Sequence, residues 1–95
     1  MPAYIVVDCE VTDAARYEQY KALAPAAIEK YGGRYLVRGG ASSVLEGDWR
    51  PSRVVVLEFP DREAIRRFYD SPEYREARAR RAGAARMNMV AVDGI

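Results

Sequence analysis

Histidine is missing from all 95 residues, and cysteine occurs once, as Cys9. Without histidine, neither a His-dependent triad, a histidine general base nor a His-ligated zinc or haem can be assembled within this chain. A single cysteine makes neither an intrachain disulfide nor a thiolate metal site. No metal site and no cofactor are therefore expected. An excess of either charge is lacking too: 15 Lys and Arg stand against 14 Asp and Glu, a net +1. Such a balance gives no reason to expect nucleic acid or a membrane surface as partner. Long apolar runs are absent, and Met1-Pro2-Ala3-Tyr4 passes straight into a strand-like segment without a basic region ahead of an apolar one. Neither a signal peptide nor a membrane span is read, and a cytoplasmic protein is expected. The length suits one domain over residues 1–95, small enough that oligomerisation would help it bury surface.

What is present is a punctuated alternation of strand and helix patterns. Residues 3–11 are rich in β-branched and aromatic types and predict a strand. Thr12 and Asp13 are cap types, and Tyr17, Tyr20, Ala24, Ile28 and Tyr31 then recur at helical spacing. Pro25 should kink or restart that helix, and Gly32-Gly33 should end it. Residues 34–38 predict a second strand, with a bulge or bend at Gly39-Gly40 and a continuation over Ser42 to Glu46. Arg53 to Phe59 predicts a third strand. Asp61 caps a second helix that breaks at Ser71-Pro72, restarts, and runs to about Ala85; residues 87–93 form the last strand.

The order is βαββαβ, and its halves repeat. A shift of 48 positions carries Asp13 onto Asp61, Tyr17 onto Ile65, Tyr20 onto Phe68 and Glu10 onto Glu58. This is the split βαβ pattern of an α+β, ferredoxin-like fold, with a four-stranded antiparallel sheet and its helices on one face. A sheet covered on one side should alternate apolar and polar residues. These strands do not: Val55, Leu57 and Phe59 share one face, yet Val54 and Val56 on the other are equally apolar, as are Tyr4 and Val6. An apolar open face marks an interaction surface. Covering it would add a few kcal/mol at ~25 cal/mol per Å², large beside the stability of a small domain. A homodimer packed sheet to sheet through this face is expected.

Several motifs run together in this chain: Val7-Asp8-Cys9-Glu10-Val11-Thr12-Asp13, Tyr31-Gly32-Gly33-Arg34-Tyr35, Leu45-Glu46-Gly47-Asp48-Trp49 and Phe68-Tyr69-Asp70-Ser71-Pro72-Glu73-Tyr74. In these the chain resembles the domain-of-unknown-function 1330 family over nearly its whole length. The resemblance implies a dimeric α+β barrel and no established activity. The wider structural superfamily includes cofactor-free monooxygenases, lactone isomerases and haem proteins, which bear on this chain only as analogies of fold.

Chemistry has few places to sit. By strand parity Asp8, Glu10 and Glu58 fall on the open face, with Arg34, Leu36 and Arg38 on the same face of the second strand. A carboxylate on an apolar face needs a partner, and Arg38 is the expected partner of Glu58. One reading is a pocket between sheet and partner for a small organic acid or carbonyl compound. Arg38 would hold the anionic group, and Asp8 or Glu58 would act as base in cofactor-free oxygenase or isomerase chemistry. The plainer reading is a structural ion pair in a non-catalytic dimer. The tyrosines read mainly as core, with Tyr69, Ser71 and Tyr74 as candidate ligand contacts at the helix restart, where free amides suit an anion. Arg75, Arg78, Arg80, Arg81 and Arg86 form a basic cluster. The third strand lacks the stacking aromatics of an RNA-recognition domain, so the cluster reads as a solvated helix face. Cys9 reads as a small buried hydrophobe.

Overall fold

Three side chains start the three helices. Asp13 accepts from the Arg16 amide at 3.1 Å, Asp61 from the Ala64 amide at 2.7 Å and Ser71 from the Tyr74 amide at 3.1 Å. Each is an N-cap that satisfies a donor of the first turn. The computed structural model describes residues Met1–Ile95. Its elements are β1 (Ala3–Val11), α1 (Ala14–Lys30), β2 (Arg34–Arg38), β3 (Val54–Phe59), α2 (Arg62–Tyr69), α3 (Pro72–Arg81) and β4 (Ala85–Asp93). The sheet is antiparallel in the order β2-β3-β1-β4. This is the ferredoxin-like arrangement, with its second helix divided at Ser71-Pro72.

Parity explains the core. Ala3, Ile5, Val7 and Cys9 of β1 and Leu57 and Phe59 of β3 are buried, whereas Tyr4, Val6 and Asp8 between them are only half-buried. The buried face packs against Tyr17, Tyr20, Ala24, Ala27 and Ile28 of α1 and Phe68, Tyr74 and Ala77 of α2 and α3. Phe59, Phe68 and Tyr74 stack with ring centroids 5.1 and 4.2 Å apart; such pairs contribute about 0.5–1.5 kcal/mol each beyond their burial. No helix is long and apolar enough to cross a membrane.

The structure departs from three local expectations. α1 does not restart at Pro25; it continues through the proline to Lys30. Its buried residues lie on both sides of Pro25, so packing on the sheet holds both halves in one helix despite the missing amide. Residues Ser42 to Glu46 form no strand. At the end of β2, Gly39 takes φ +74° and its amide donates to the Val54 carbonyl at 2.8 Å, and the chain then leaves the ladder. α3 ends at Arg81 and β4 begins at Ala85, because Gly83 turns the chain at φ +76° between them.

A fourth departure matters most for function. β2 pairs with β3 through Arg34↔Glu58 and Tyr35↔Leu57, then shifts so that Val37 faces Val56 and Arg38 faces Val55. The extra residue is a bulge, and it exchanges the faces of everything beyond it. Arg34 stays on the open face, as parity suggested. Arg38 is carried to the helix side.

Candidate functional site

The bulge breaks up the expected cluster. Glu58 accepts from Arg34, its rung partner, at 2.7 Å from Nε and 2.6 Å from Nη2. The expected Arg38–Glu58 pair does not form, because the two side chains lie on opposite faces of the sheet. Asp8 is on the open face, where the Trp49 indole N–H donates to it at 2.9 Å and the Ser52 amide at 3.1 Å. It has no arginine partner. Along the β1–β3 ladder Asp8 pairs with Val54 and Glu58 with Tyr4. Four rungs therefore separate the two carboxylates, about 13 Å at the strand rise. They are not brought together. Glu10, placed on the open face by parity, receives Arg86 at 3.1 Å.

The helix-side residues converge instead. Between the sheet and helices α1 to α3 lies a cavity enclosing about 30 Å³, room for roughly one or two waters. Its walls are apolar apart from Lys21, Arg38 and Arg53, and no carboxylate lines it. Lys21 is engaged by Glu18 at 3.1 Å. Arg38 lies over the Tyr35 ring at 4.4 Å. Arg53 has a buried Nε with no hydrogen-bond partner. The sheet carboxylates within reach of a cation are taken by other arginines: Glu58 by Arg34, Asp93 by Arg62 and Glu10 by Arg86. Arg38 is exposed and Arg53 half-buried, but the Arg53 Nε, like those of Arg78 and Arg81, is a buried donor without a partner, and beside an apolar cavity it asks for an explanation.

Local structure aims Arg53. The Cys9 amide donates to its carbonyl at 2.9 Å, so strand pairing reaches this residue and gives it the inward parity of Val55 and Leu57. Its guanidinium then crosses Gly39, where a Cβ would stand 2.5 Å from Nη1. Gly39 thus serves both the turn and the passage of Arg53.

Tyr74, the best placed of the expected ligand contacts, is buried and lines the cavity. Its hydroxyl lies 2.7 Å from that of Tyr20. Burial, and then Tyr74 itself, pushes the Tyr20 phenol well above its ordinary range. Burial and the Cys9 thiol do the same for Tyr17, which accepts from Cys9 Sγ at 3.5 Å. Ser71 is fully occupied as a cap, donating to the Phe68 carbonyl at 2.6 Å while accepting from Tyr74. Tyr69 lies half-exposed beneath Arg78, 4.1 Å from its ring, and lines a separate hollow beside Ile65 and Ala91. Residues to which the sequence reading gives no role are Arg53 and Lys21, while Tyr20 reads as core. Arg53 carried a usable signal, since positions 53, 55, 57 and 59 share one parity and only Arg53 is charged.

Both the sequence and the fold have counterparts among known proteins. The sequence matches the profile of the domain of unknown function DUF1330 over residues 2–95. The chain belongs to the DUF1330 family. No curated protein matches it. Among solved structures, RPA0582, a protein of unknown function from Rhodopseudomonas palustris, superposes with TM-score 0.78 at 20% identity, covering 99% of this chain and 82% of that one. A dimeric ferredoxin-like protein of unknown function from Jannaschia sp. gives 0.71 at 15%, covering 99% and 100%. SnoaB, a cofactor-independent oxygenase from Streptomyces nogalater, gives 0.65 at 14%, covering 99% and 93%. At such identities these likenesses establish that the DUF1330 chain shares their fold.

Proposed function

We propose that this DUF1330 protein is a homodimer that binds a small organic acid in the cavity between its sheet and helices. The observation that carries the reading is the unpaired Arg53, with Arg38 beside it, facing an apolar cavity without a carboxylate. An anionic ligand would supply the missing counter-charge, and its carbon chain would fill the apolar space. The free space is small, so a ligand of a few carbons enters only as the flexible Met87 and Met89 in the wall give way. The likeness to a dimeric ferredoxin-like protein supports the homodimer. So does the open face, where Val90 and Val92 are 58% and 48% exposed.

A second reading keeps the site on the open face and makes it catalytic. It is favoured by Asp8, which holds only neutral donors and borders a groove of about 440 Å³ with Val6, Trp49 and Val90. A partner subunit would close that groove, leaving Asp8 as the base for cofactor-free oxygenase or isomerase chemistry. The fold likeness to SnoaB supports this reading by analogy.

The test is a thermal-shift titration with butanoate and pentanoate, run on the wild type and on Arg38→Met and Arg53→Met. The cavity reading expects stabilisation by either acid that is lost in both variants. No stabilisation at millimolar acid, or equal stabilisation of all three proteins, overturns it. Light scattering at micromolar concentration checks the dimer, and a monomer removes the open-face site.

A further inference from the structure

The same cavity has a second polar end. Tyr20 of α1 and Tyr74 of α3 both line it, and their hydroxyls meet at 2.7 Å. Between them they carry two phenolic protons. One is used in the bond that joins them. Neither oxygen has another partner among the protein's side chains except Arg81, whose guanidinium lies 5.2 Å from the Tyr20 ring and beside both hydroxyls. Arginine only donates. The dyad's lone pairs are therefore well supplied, while its second proton has no acceptor. Both rings are buried, at 8% and 1% exposure, so bulk water does not take that proton. Burial pushes the Tyr20 phenol further from ionisation, so it stands as a donor and not a base.

A buried donor without an acceptor is unfavourable in the same way as the unpaired Arg53. The two faults lie on one cavity, and a single molecule can correct both. We propose that the ligand is an oxo acid, its carboxylate on Arg38 and Arg53 and its carbonyl oxygen accepting the spare Tyr20–Tyr74 proton. This rests on the carboxylate reading given above. The donor surplus also ranks the alternatives. A ketone accepts and brings no proton of its own. A hydroxyl accepts but adds a proton that the apolar walls cannot receive. An amino group is charged at neutral pH, offers no acceptor and meets the repulsion of Arg38, Arg53 and Arg81. The expected order of binding is oxo, then hydroxy, then amino.

The experiment measures affinities by calorimetry for 2-oxobutanoate, 2-hydroxybutanoate, 2-aminobutanoate and butanoate, and for 4-oxopentanoate against pentanoate. Wild type should bind at least one oxo acid about three- to tenfold more tightly than its plain counterpart, the range of one neutral hydrogen bond. The double variant Y20F/Y74F should lose that preference, so that each oxo acid and its plain counterpart bind alike. Each single variant keeps one donating hydroxyl and should keep the preference. If neither oxo acid is preferred over its plain counterpart, the oxo-acid inference fails, the spare proton being satisfied by water. It fails equally if the preference survives in Y20F/Y74F. If the plain acids themselves do not bind, or bind without Arg53, the carboxylate reading fails and takes this one with it. Should the double variant not fold, the infrared carbonyl stretch of 4-oxopentanoate on the wild type decides. A band lowered from its position in aprotic solvent supports the hydrogen bond, and an unshifted band overturns it.

Discussion

The Arg53→Met substitution removes a guanidinium and keeps an unbranched apolar stem of comparable reach. In the free protein the guanidinium has a buried Nε without a partner and an apolar wall around it. An unsatisfied buried donor costs about 1–3 kcal/mol. Arg53 is only half-buried, and the rest of its head reaches water, which places the cost at the lower end. The variant should thus be more stable than the wild type by about 1 kcal/mol, a rise of roughly 4–8 °C in Tm for a domain of this size. Calorimetry at one fixed protomer concentration is the assay, since the Tm of a dimer would depend on concentration. Adding butanoate should then reverse the order. A ligand at a hundred times its Kd stabilises by about 2.7 kcal/mol, which the wild type gains and the variant does not. A lower Tm for Arg53→Met without ligand would mean that the guanidinium already has its compensation within the fold. The anion site would then lose its physical basis.

Two other perturbations test the description of the fold. Lys30 and Tyr31 at the end of α1 both donate to Glu73 in the first turn of α3, and these bonds, the Lys30 one foremost, hold the Glu73 carboxyl down to about 2. A depressed folded-state value means stability that is complete above the ordinary carboxylate range and lost as pH falls from there toward 2; in denaturant titrations Glu73→Gln should flatten that acid decline, and an unchanged slope contradicts the assignment. A double-mutant cycle on Arg34→Ala and Glu58→Ala should give a coupling of about 0.2–1 kcal/mol, as for an exposed pair, while the cycle on Arg38→Ala and Glu58→Ala should give none. A measurable Arg38–Glu58 coupling would contradict the bulge.

Much of the architecture was legible because it depends on local chemistry. Asp13, Asp61 and Ser71 are cap residues in the sequence and caps in the structure, and the Ser71-Pro72 break needs nothing beyond the two residues that make it. The restart read at Pro25 does not occur because packing on either side decides whether the helix continues, which no local pattern records. Ser42 to Glu46 misled because a strand needs a neighbour to pair with, and Gly39 turns the chain away from β3 before one is reached.

The site was less legible for one definite reason. Assigning faces by parity assumes that no residue is inserted, and β2 inserts one between Tyr35 and Val37. That single shift separates two arginines that alternate counting places together. Arg34 remains outside as the partner of Glu58, and Arg38 turns to the other face, exposed at the rim of the cavity with no carboxylate to meet it. On β3, which has no such shift, the same parity rule is sound and places Arg53 on that face as well. Two strands thus deliver two guanidiniums to one cavity by different routes, one through a bulge and one through regular pairing. Were the pair merely structural, one carboxylate on the inner face would satisfy it at little cost. Instead, Glu58, Asp93 and Glu10 are matched with Arg34, Arg62 and Arg86. On the reading proposed above, a fold that pairs these carboxylates and leaves Arg38 and Arg53 without one provides them for an anion from outside.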